Sequence, residues 1–349
     1  MARFDIDSAY LNRFLVDLLN TPSPTGDAEY AISLVQAELN GLGVKTALTN
    51  KGALVAHLEG LGKSVSRGIT AHVDTLGAMV AEVKPSGRLR LKAIGGLNWA
   101  AVESEAVTIS TQAGRQVRGS LVLVNGSAHV NREALTQKRD ADSMEIRLDE
   151  RTQSAEETRL LGIDVGDFVA FDPRVETNPS GFIRSRFLDD KACVACILAA
   201  LKTMAEGGIR AAFPTTIVIS NREEVGHGGI DGLPANLHEL LVLDMGCIGG
   251  GQNGDEFHCS IGMADQSGPY DKRFSQRIRT IAERRGIDLR PDIYPFYASD
   301  GSAYSRAGGS AQIALIGPGI DTSHAYERTH IEALIDTAQM VAEFLVDEG

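Results

Sequence analysis

The chain has 349 residues, which is more than a single domain core of average size contains. Of these residues 43% are apolar and 5% are aromatic, a composition that is typical of a folded globular protein. Its 46 acidic residues outnumber its 34 basic residues, which gives a formal net charge of −12 at pH 7. This excess of negative charge argues against nucleic acid or an anionic membrane as a partner, and it suits a site that holds divalent cations.

The N-terminal segment predicts no export signal. It reads MARFDIDSAYLNRFL and carries acids where a secretory signal peptide has basic residues. Nowhere does the chain contain eighteen consecutive apolar residues, so we expect no membrane span. We therefore expect a cytoplasmic location, with the four cysteines in the reduced state.

Two amphipathic helices and a strand pair come first in the chain. Helix patterns over 7–20 and 27–40 precede the strands VKTALTN and GALVAHLEG, which we interpret as scaffold. The next strand, SRGITAHVDTLG, places His72 and Asp74 on one face because side chains alternate along a strand. A carboxylate commonly orients the imidazole of a metal ligand, although this pair alone also fits an ordinary surface or core histidine.

Residues 77–165 change the pattern to short alternating segments separated by glycine, asparagine or charged turns. We predict that they form a small β domain inserted between the two halves of an α/β domain, which residues 1–76 and 166–349 form together. No cluster of titratable side chains marks this insert, so we expect it to have no chemistry of its own.

The α/β pattern resumes with Asp189 and Asp190, which precede a helical run that contains Cys193 and Cys196. An acid at this point can cap the first turn of the helix, and that role explains one of the two aspartates. The other carboxylate could bridge two cations. The cysteines have CxxC spacing but lie in an apolar helix with no second pair nearby, so we interpret them as buried core thiols.

An apolar run over 216–220 delivers two adjacent carboxylates, Glu223 and Glu224, into a glycine-bearing turn. Two neighbouring acids repel each other unless a cation or a proton lies between them, although an isolated pair is commonly a solvated loop. The run LLVL leads in the same way to Asp244 and a glycine-rich bend. This repeated layout favours a site at the ends of the strands.

The last apolar strand, AQIALIGPG, leads to His324 in a loop. A final helix follows over 331–346, and His330 directly precedes it. His330 is a second candidate ligand, but its position at the helix entry favours a capping or surface role.

The candidate residues occupy similar positions in the predicted fold. Each lies near the end of an apolar strand or at a strand-to-helix turn. Open α/β sheets gather ligands at such positions. Two histidines and three carboxylates without a thiolate suit a pair of Zn²⁺, Co²⁺ or Mn²⁺ ions, and one carboxylate is left for proton transfer. The set is His72, Asp189, Glu223, Glu224, Asp244 and His324.

The motifs around these residues resemble those of the co-catalytic aminopeptidases of metallopeptidase family 42, the tetrahedral or deblocking enzymes related to glutamyl aminopeptidase. The motifs are AHVDTLG, FLDDKA, REEVG, LVLDMG and TSHAYE, in this order. The likeness extends over almost the whole chain and includes SDGSAYSRAGG at 299–309. It implies a mixed sheet sandwiched by helices, as in di-zinc exopeptidases, with an inserted β-barrel or PDZ-like dimerisation domain.

The resemblance also implies a role for each site residue and two divalent ions per subunit, with zinc preferred and cobalt or manganese as alternatives. The implied ligands are His72 and Asp244 for one ion, Glu224 and His324 for the other, and Asp189 as the bridge between them. Glu223 would act as the general base, and Asp74 would support His72. A water held between the two ions would become a hydroxide near neutral pH and attack the scissile carbonyl.

Four features depart from the family pattern. Thr75 stands where the family usually has an acid, Lys191 replaces an arginine, and His227 replaces an apolar residue. The motif DTSHAYERTH also differs from the family's RY-x-H-S, so His330 remains an alternative to His324. These departures lie near the predicted pocket and leave the preferred substrate side chain open.

The resemblance implies an aminopeptidase that removes N-terminal residues from short peptides and assembles as a homo-oligomer, with twelve subunits expected and a dimer as the alternative. An N-acyl amino-acid deacylase or a carboxypeptidase would use nearly the same ligands, but it would need a basic group to hold the substrate carboxylate. A non-catalytic metal-binding scaffold is a third interpretation, against which the spare carboxylate of Glu223 argues.

Overall fold

The structure, a computed structural model, describes residues 3–349 of the chain. The helices are α1 (Ser8–Leu19), α2 (Glu29–Gly41), α3 (Ala155–Leu160), α4 (Leu188–Glu206), α5 (Lys272–Arg285), α6 (Asp300–Arg306) and α7 (Ile331–Val346). Across the described residues, none of these helices has the length and apolar character needed to cross a membrane.

The strands alternate with these helices and fall into a large sheet, a small sheet and a barrel. They are β1 (Lys45–Leu48), β2 (Leu54–Leu58), β3 (Arg67–His72), β4 (Gly77–Val83), β5 (Leu89–Ile94), β6 (Ala106–Ser110), β7 (Gln116–Leu123), β8 (Met144–Leu148), β9 (Phe168–Phe171), β10 (Glu176–Thr177), β11 (Phe182–Ser185), β12 (Thr215–Ser220), β13 (Glu239–Leu243), β14 (Gly246–Cys247), β15 (Cys259–Asp265), β16 (Gly268–Pro269), β17 (Arg290–Ile293), β18 (Gln312–Ile320) and β19 (Glu327–His330).

A ten-stranded mixed sheet forms the larger part of the fold. Its strand order is β1-β2-β12-β3-β13-β18-β15-β16, with β14 beside β18 and β17 beside β15. The central strands β12, β3, β13 and β18 run parallel to their neighbours in this series. The sequences of β12, β3 and β13 are buried along their whole length, as expected of parallel strands covered on both faces.

Helices cover this sheet, and α4 packs against β3 and β18 near its centre. The α4 sequence is apolar on nearly all sides, which is typical of a helix without a solvent face. Cys193 and Cys196 lie buried in α4 as free thiols, which confirms their predicted role in the core. Helices α1 and α7 pack against α4, and α6 contacts β13 and β18.

A closed barrel with the strand order β4-β5-β8-β7-β6-β9 forms the second part of the fold. Along β7 the buried side chains alternate with exposed or half-buried ones, because one face of each strand points into the barrel. The predicted fold class, a mixed sheet with helices and an inserted small barrel, is therefore confirmed. The strand β9, which pairs with β4 and β6, begins after residue 165, the end that the sequence predicted for the insert.

A buried ion-pair network ties the sheet to the last helix. Arg67, at the start of β3, is 1% exposed, and its Nε donates to Glu239 Oε2 at 2.9 Å. Its guanidinium carbon lies 4.6 Å from the ring centre of Phe213 and 4.7 Å from that of Phe344 in α7. Arg277 of α5 also pairs with Glu239. The buried charges are thus compensated by an ion pair and by two aromatic faces.

Candidate metal centre

Three central strands end beside one another and carry candidate ligands at their carboxyl ends. His72 is the last residue of β3, Asp244 directly follows β13, and Glu223 and Glu224 lie in a short 3-10 turn after β12. Because β12, β3 and β13 are parallel neighbours, these ends meet at one edge of the sheet. The structure therefore brings the four side chains to a common edge.

Two further candidate ligands come from a helix entrance and a loop. Asp189 lies at the start of α4 with φ of −71° and ψ of 107°, which are not helical values. His324 lies between β18 and β19 with φ of +61°, in the left-handed region. This region is unfavourable for a residue with a Cβ atom, so the loop holds His324 in a strained conformation.

Six side chains form two groups of three. Within each group, every member offers one ligand atom, and these atoms all lie within 4.8 Å of one another. The groups are His72, Asp190 and Asp244, and Asp189, Glu224 and His324. Asp189 Oδ1 lies 3.2 Å from His72 Nε2, and Asp189 Oδ2 lies 3.6 Å from His324 Nε2. The Asp189 carboxylate thus lies between the two groups and directs one oxygen toward each.

The carboxylates of these groups crowd negative charge into a buried space. Burial raises the pKa of Glu224 to about 8, and the charge of Asp189 adds to this shift. Burial also raises the pKa of Asp244 well above its ordinary range, again with a contribution from Asp189. For Asp190, burial and then the charge of Asp244 raise the pKa. A cation between such carboxylates would relieve their repulsion.

The two histidines stabilise the charge on Asp189. Burial alone raises the pKa of Asp189, but the imidazoles of His324 and His72 outweigh burial and hold the pKa below its ordinary value. In turn, the neighbouring Asp189 raises the pKa of His324 to about 10. Asp189 is therefore the carboxylate of the cluster that stays ionised most readily, as a bridging ligand requires.

The donor atoms fit divalent transition ions. His72 Nε2, Asp189 Oδ1 and Asp190 Oδ1 are among the buried polar atoms of the described residues that have no hydrogen-bond partner. His72 Nε2 and Asp189 Oδ1 lie 3.2 Å apart but without hydrogen-bond geometry. Buried polar atoms left in this way are costly unless something binds them. Imidazole nitrogens and carboxylate oxygens are ligands that Zn²⁺, Co²⁺ and Mn²⁺ accept.

Asp74 supports the cluster in a different way from the one that its spacing predicts. The backbone carbonyl of Asp74 accepts the hydrogen bond from His72 Nδ1 at 2.9 Å, which leaves His72 Nε2 free to act as a ligand. The Asp74 carboxylate lies farther from Nδ1, at 3.5 Å. This carboxylate accepts hydrogen bonds from the backbone amides of Glu223 and Glu224 and from Thr25 Oγ1.

Glu223 lies beside the cluster without belonging to either group of three. Its Oε2 is 3.7 Å from His72 Nε2, and its side chain lines the adjoining cavity. Burial raises the pKa of Glu223 well above its ordinary value, and the charge of His72 opposes this shift. A carboxylate of raised pKa that faces a cavity can accept a proton and return it near neutral pH.

A cavity of about 730 Å³ adjoins the cluster. Its acidic part includes Asp189, Glu223, Glu224 and Asp244, and its apolar part includes Met245, Ile248, Tyr294, Phe296 and Tyr297. Phe296 is 95% exposed, so its ring is available to a molecule in the cavity. Arg306 is the one lysine or arginine among the described residues that line this space.

The alternative ligand, His330, lies outside both groups. Its Nδ1 accepts a hydrogen bond from the backbone amide of Glu332 at 3.3 Å, so His330 caps α7, the role that the sequence favoured. Of the positions that depart from the family pattern, His227 is exposed after the Glu223–Val225 turn. Lys191 is fully buried and donates to the backbone carbonyls of Leu18 and Thr21.

Three buried acids near the site have no role in the site that the sequence predicts. Asp190 looked like a helix cap, but it belongs to the first group and accepts the backbone amide of His72 at 3.2 Å. Asp300 accepts from Thr70 Oγ1 at 2.6 Å, and burial raises its pKa to about 6. Glu327 begins β19 behind His324. Their one signal in the sequence was their presence within the quoted motifs.

A family model and a relative of high identity show the family of the chain. A family model described as M42 glutamyl aminopeptidase matches residues 52–340. The chain is 44% identical to "Putative aminopeptidase YhfE" from Bacillus subtilis (strain 168) over 325 residues, which are 93% of this chain and 94% of that protein.

Solved structures share the fold. Aminopeptidase APDkam598 from the archaeon Desulfurococcus kamchatkensis matches with a TM-score of 0.87 and 21% identity, over 97% of this chain and 95% of that chain. PhTET1-12s, whose structure is described as a dodecamer, matches with a TM-score of 0.83 and 19% identity, over 96% of this chain and 98% of that chain.

Proposed function

The chain belongs to the M42 glutamyl aminopeptidase family, and from this premise we propose that it removes N-terminal residues from short peptides with the help of two divalent metal ions. The observation that carries this proposal is the position of the Asp189 carboxylate between two groups of ligands, with one oxygen toward His72 and the other toward His324. A bridge between two ions uses a carboxylate in this way.

We assign the ligands to the ions as follows. His72 and Asp244 would hold one ion, Glu224 and His324 would hold the other, and Asp189 would contact both. Asp190 would offer a further oxygen to the first ion, since its ligand atom lies within the same group. Zinc is the preferred ion, with cobalt or manganese as alternatives, because the donor atoms are imidazole nitrogens and carboxylate oxygens.

The chain's own residues would perform the proton transfers. When bound, the two ions would supply Lewis acidity that lowers the pKa of a water and polarises the peptide carbonyl. Glu223 would accept the proton from the attacking water and then deliver it to the leaving amine. The hydrogen bonds that the backbone amides of Glu223 and Glu224 donate to the Asp74 carboxylate would keep both residues in place during both transfers. No serine or cysteine nucleophile is required.

The cavity would hold the peptide with its free amino group beside the ligand groups. The apolar part of the cavity, with Ile248 and Phe296, would contact a side chain of the peptide. An enzyme that places the amino terminus at the metal centre removes one residue at a time from that end. This placement makes the protein an exopeptidase.

We further propose that the chain forms a homo-oligomer of twelve subunits through its barrel, with a dimer as the smaller alternative. The description of PhTET1-12s as a dodecamer supports this assembly. The sequence predicts residues 1–76 and 166–349 as the catalytic part and 77–165 as the insert, and we propose that the insert extends to the end of β9, because this strand belongs to the barrel. A cytoplasmic location agrees with the free thiols of the chain.

A second candidate function is the hydrolysis of N-acyl amino acids or of C-terminal residues. Arg306 favours it, because this activity needs a basic group for the substrate carboxylate and Arg306 lines the cavity. An experiment separates the two functions. Hydrolysis of a peptide amide with a free amino group is compared with hydrolysis of its N-acetyl counterpart, after chelation and after metal is added back.

The aminopeptidase should hydrolyse the unblocked amide alone, lose activity on chelation and regain it with Zn²⁺, Co²⁺ or Mn²⁺. Hydrolysis of the N-acetyl compound at an equal or higher rate would favour the second function. Activity that survives complete removal of metal would exclude both.

A further inference from the structure

Glu327 touches two of the proposed metal ligands at once. It begins β19, is 2% exposed, and uses both oxygens of its carboxylate. Its Oε2 accepts a hydrogen bond from the backbone amide of Asp189 at 3.1 Å, and its Oε1 accepts one from the backbone amide of His324 at 3.1 Å. One side chain therefore links the entrance of α4 to the loop before β19.

Outside the ligand cluster and Glu223, Glu327 differs from the other buried glutamates of the described residues, because it has no lysine or arginine within salt-bridge distance. Each of the others has a basic partner: Glu105 with Arg186, Glu145 with Lys84, Glu239 with Arg67, and Glu343 with Arg285. A buried carboxylate without a cation is expensive to desolvate. Two amide hydrogen bonds offset part of that cost, and they are the polar contacts of the Glu327 carboxylate among the described residues.

The two backbone amides that donate to Glu327 belong to residues with irregular backbone conformations. Asp189 has φ of −71° and ψ of 107°, so it stands outside the regular helical ladder of α4. His324 has φ of +61°, a conformation that costs a residue with a Cβ atom about 1–3 kcal/mol. Such a conformation persists only where the surrounding structure holds it. Glu327 is three residues from His324 and holds the amide of this strained position.

We infer that Glu327 is a positioning residue that fixes the distance between Asp189 and His324, and thereby the second group of ligands. The inference depends on the proposed function in one respect. It requires that the second group, which consists of Asp189, Glu224 and His324, binds an ion. The first group of ligands, His72, Asp190 and Asp244, has no hydrogen bond to Glu327 among the described contacts. Loss of Glu327 should therefore weaken mainly the ion of the second group, which depends on both Asp189 and His324, whereas the first ion shares only the Asp189 bridge.

The test is a metal titration of the Glu327→Gln variant. A glutamine keeps the size of the side chain but offers one acceptor oxygen, so its NH₂ group faces one of the two backbone amides. Metal-free protein is titrated with Zn²⁺ by calorimetry, and the Co²⁺ absorption spectrum is followed as each equivalent of Co²⁺ is added. We expect one equivalent to bind about 10–100-fold more weakly, the usual effect of removing a group that orients a ligand. The other equivalent, which shares only the Asp189 bridge, should lose less affinity.

The matched control is Glu105→Gln. Glu105 is also a buried glutamate, but it pairs with Arg186 and has no hydrogen bond to a proposed ligand. This variant should lose thermal stability and keep both equivalents at full affinity. Should Glu327→Gln fail to fold, Glu327→Asp carries the same test, because its shorter side chain keeps the charge but cannot span both amides.

Several outcomes would overturn the inference. Two equivalents bound with unchanged affinity, or an equal loss of both, would show that Glu327 does not position the second group. The unmodified protein tests the proposed function separately. If it binds two ions but cleaves no peptide, the proposed function fails and the positioning role can still hold. If the unmodified protein binds no second ion, the positioning role fails with the assigned ligand set.

Discussion

The Asp74 carboxylate accepts a hydrogen bond from the backbone amide of Glu223 at 3.1 Å. The same carboxylate accepts the amide of Glu224 at 3.3 Å, while the backbone carbonyl of Asp74 accepts His72 Nδ1. A single residue thus fixes a proposed ligand on β3 and two carboxylates that follow β12. Glu223 and Glu224 share this support but point to different roles, and substitution can separate the roles.

We predict that Glu223→Gln keeps both metal ions and lowers turnover by about 10²–10⁴-fold, the usual contribution of a general base. Glu223 belongs to neither ligand group, whereas Glu224 belongs to the second. Elemental analysis and steady-state kinetics of the variant check this prediction. The control is Glu224→Gln, which should lose most of one ion. A reversed result, with an ion lost from the Glu223 variant and none from the Glu224 variant, would exchange the two roles.

Asp189→Ala should release most of both ions, because its carboxylate oxygens lie toward His72 and His324. The measurement is metal content after dialysis against metal-free buffer. Asp167→Asn is the control, since Asp167 is buried but accepts its hydrogen bonds within the barrel region, from Gln112 and Asp164. Retention of two ions at full occupancy in Asp189→Ala would refute the bridging role.

Phe296→Ala should raise KM roughly tenfold and change kcat less, because a lost apolar contact weakens substrate and transition state alike. Phe296 lines the cavity and is 95% exposed. Ile293→Ala is a control on the same segment, as Ile293 is also exposed but does not line the cavity. Equal effects of the two substitutions on KM would show that Phe296 does not contact the peptide.

The ion pair of Arg67 and Glu239 predicts a pH-dependent stability. Burial raises the pKa of Glu239, but Arg277 and Arg67 outweigh burial and hold the pKa below the ordinary value of 4.5. Because the unfolded state then binds more protons, the stabilisation is present above pH 4.5 and is lost as the pH falls through the lower folded-state pKa. Glu239→Ala should cost about 3–5 kcal/mol near pH 7, since it leaves Arg67 buried without its partner.

Denaturant unfolding at several pH values measures this effect. The stability difference between the unmodified protein and Glu239→Ala should shrink in acid below pH 4.5. Glu206→Ala removes one member of an exposed pair with Lys202 and should cost less than about 1 kcal/mol. A difference for Glu239→Ala that is the same in acid as at neutral pH would contradict the expected proton linkage.

Light scattering of the intact protein should give the mass of an oligomer, with twelve subunits expected. The segment that joins β7 to β8 of the barrel exposes two large apolar side chains, Val130 at 81% and Leu135 at 65%, which a neighbouring subunit could cover. Changing both to lysine should reduce the assembly to smaller species, whereas Leu61→Lys, at an exposed position outside the barrel, should not. A monomeric intact protein, or an assembly that withstands the double substitution, would assign the barrel another purpose.

The strand ends of the site could be predicted from sequence because each is marked by a physical contrast. An unbroken apolar strand that stops at a charged residue, as before Asp244, places this charge at the edge of the sheet. The same contrast marks His72 after β3 and the two glutamates after β12. Local patterns of this kind need no knowledge of distant residues.

The supporting contacts could not be predicted in the same way, because they join segments that are far apart in the chain. Glu327 contacts Asp189 in a fold where β19 pairs with the distant strand β11, and the neighbours of Glu327 in sequence give no sign of this contact. Asp190 resembled a helix cap, since an acid before a helix usually has that role. The end of the insert was also hard to place, because β9 pairs with both β4 and β6 of the barrel.

The positions of the site residues along the chain also determine when the proposed site can form during synthesis. His72 is made early, on β3, and His324 is made after β18, so most of the chain separates them during translation. A ribosome-bound chain that ends before β18 lacks His324, and its strand β13 cannot yet pair with β18. Pairing over such long separations comes late in folding. With the ligand set proposed above, a growing chain of this kind would be inert toward the free amino termini of nascent proteins around it, and hydrolytic competence would arrive only with near-complete synthesis.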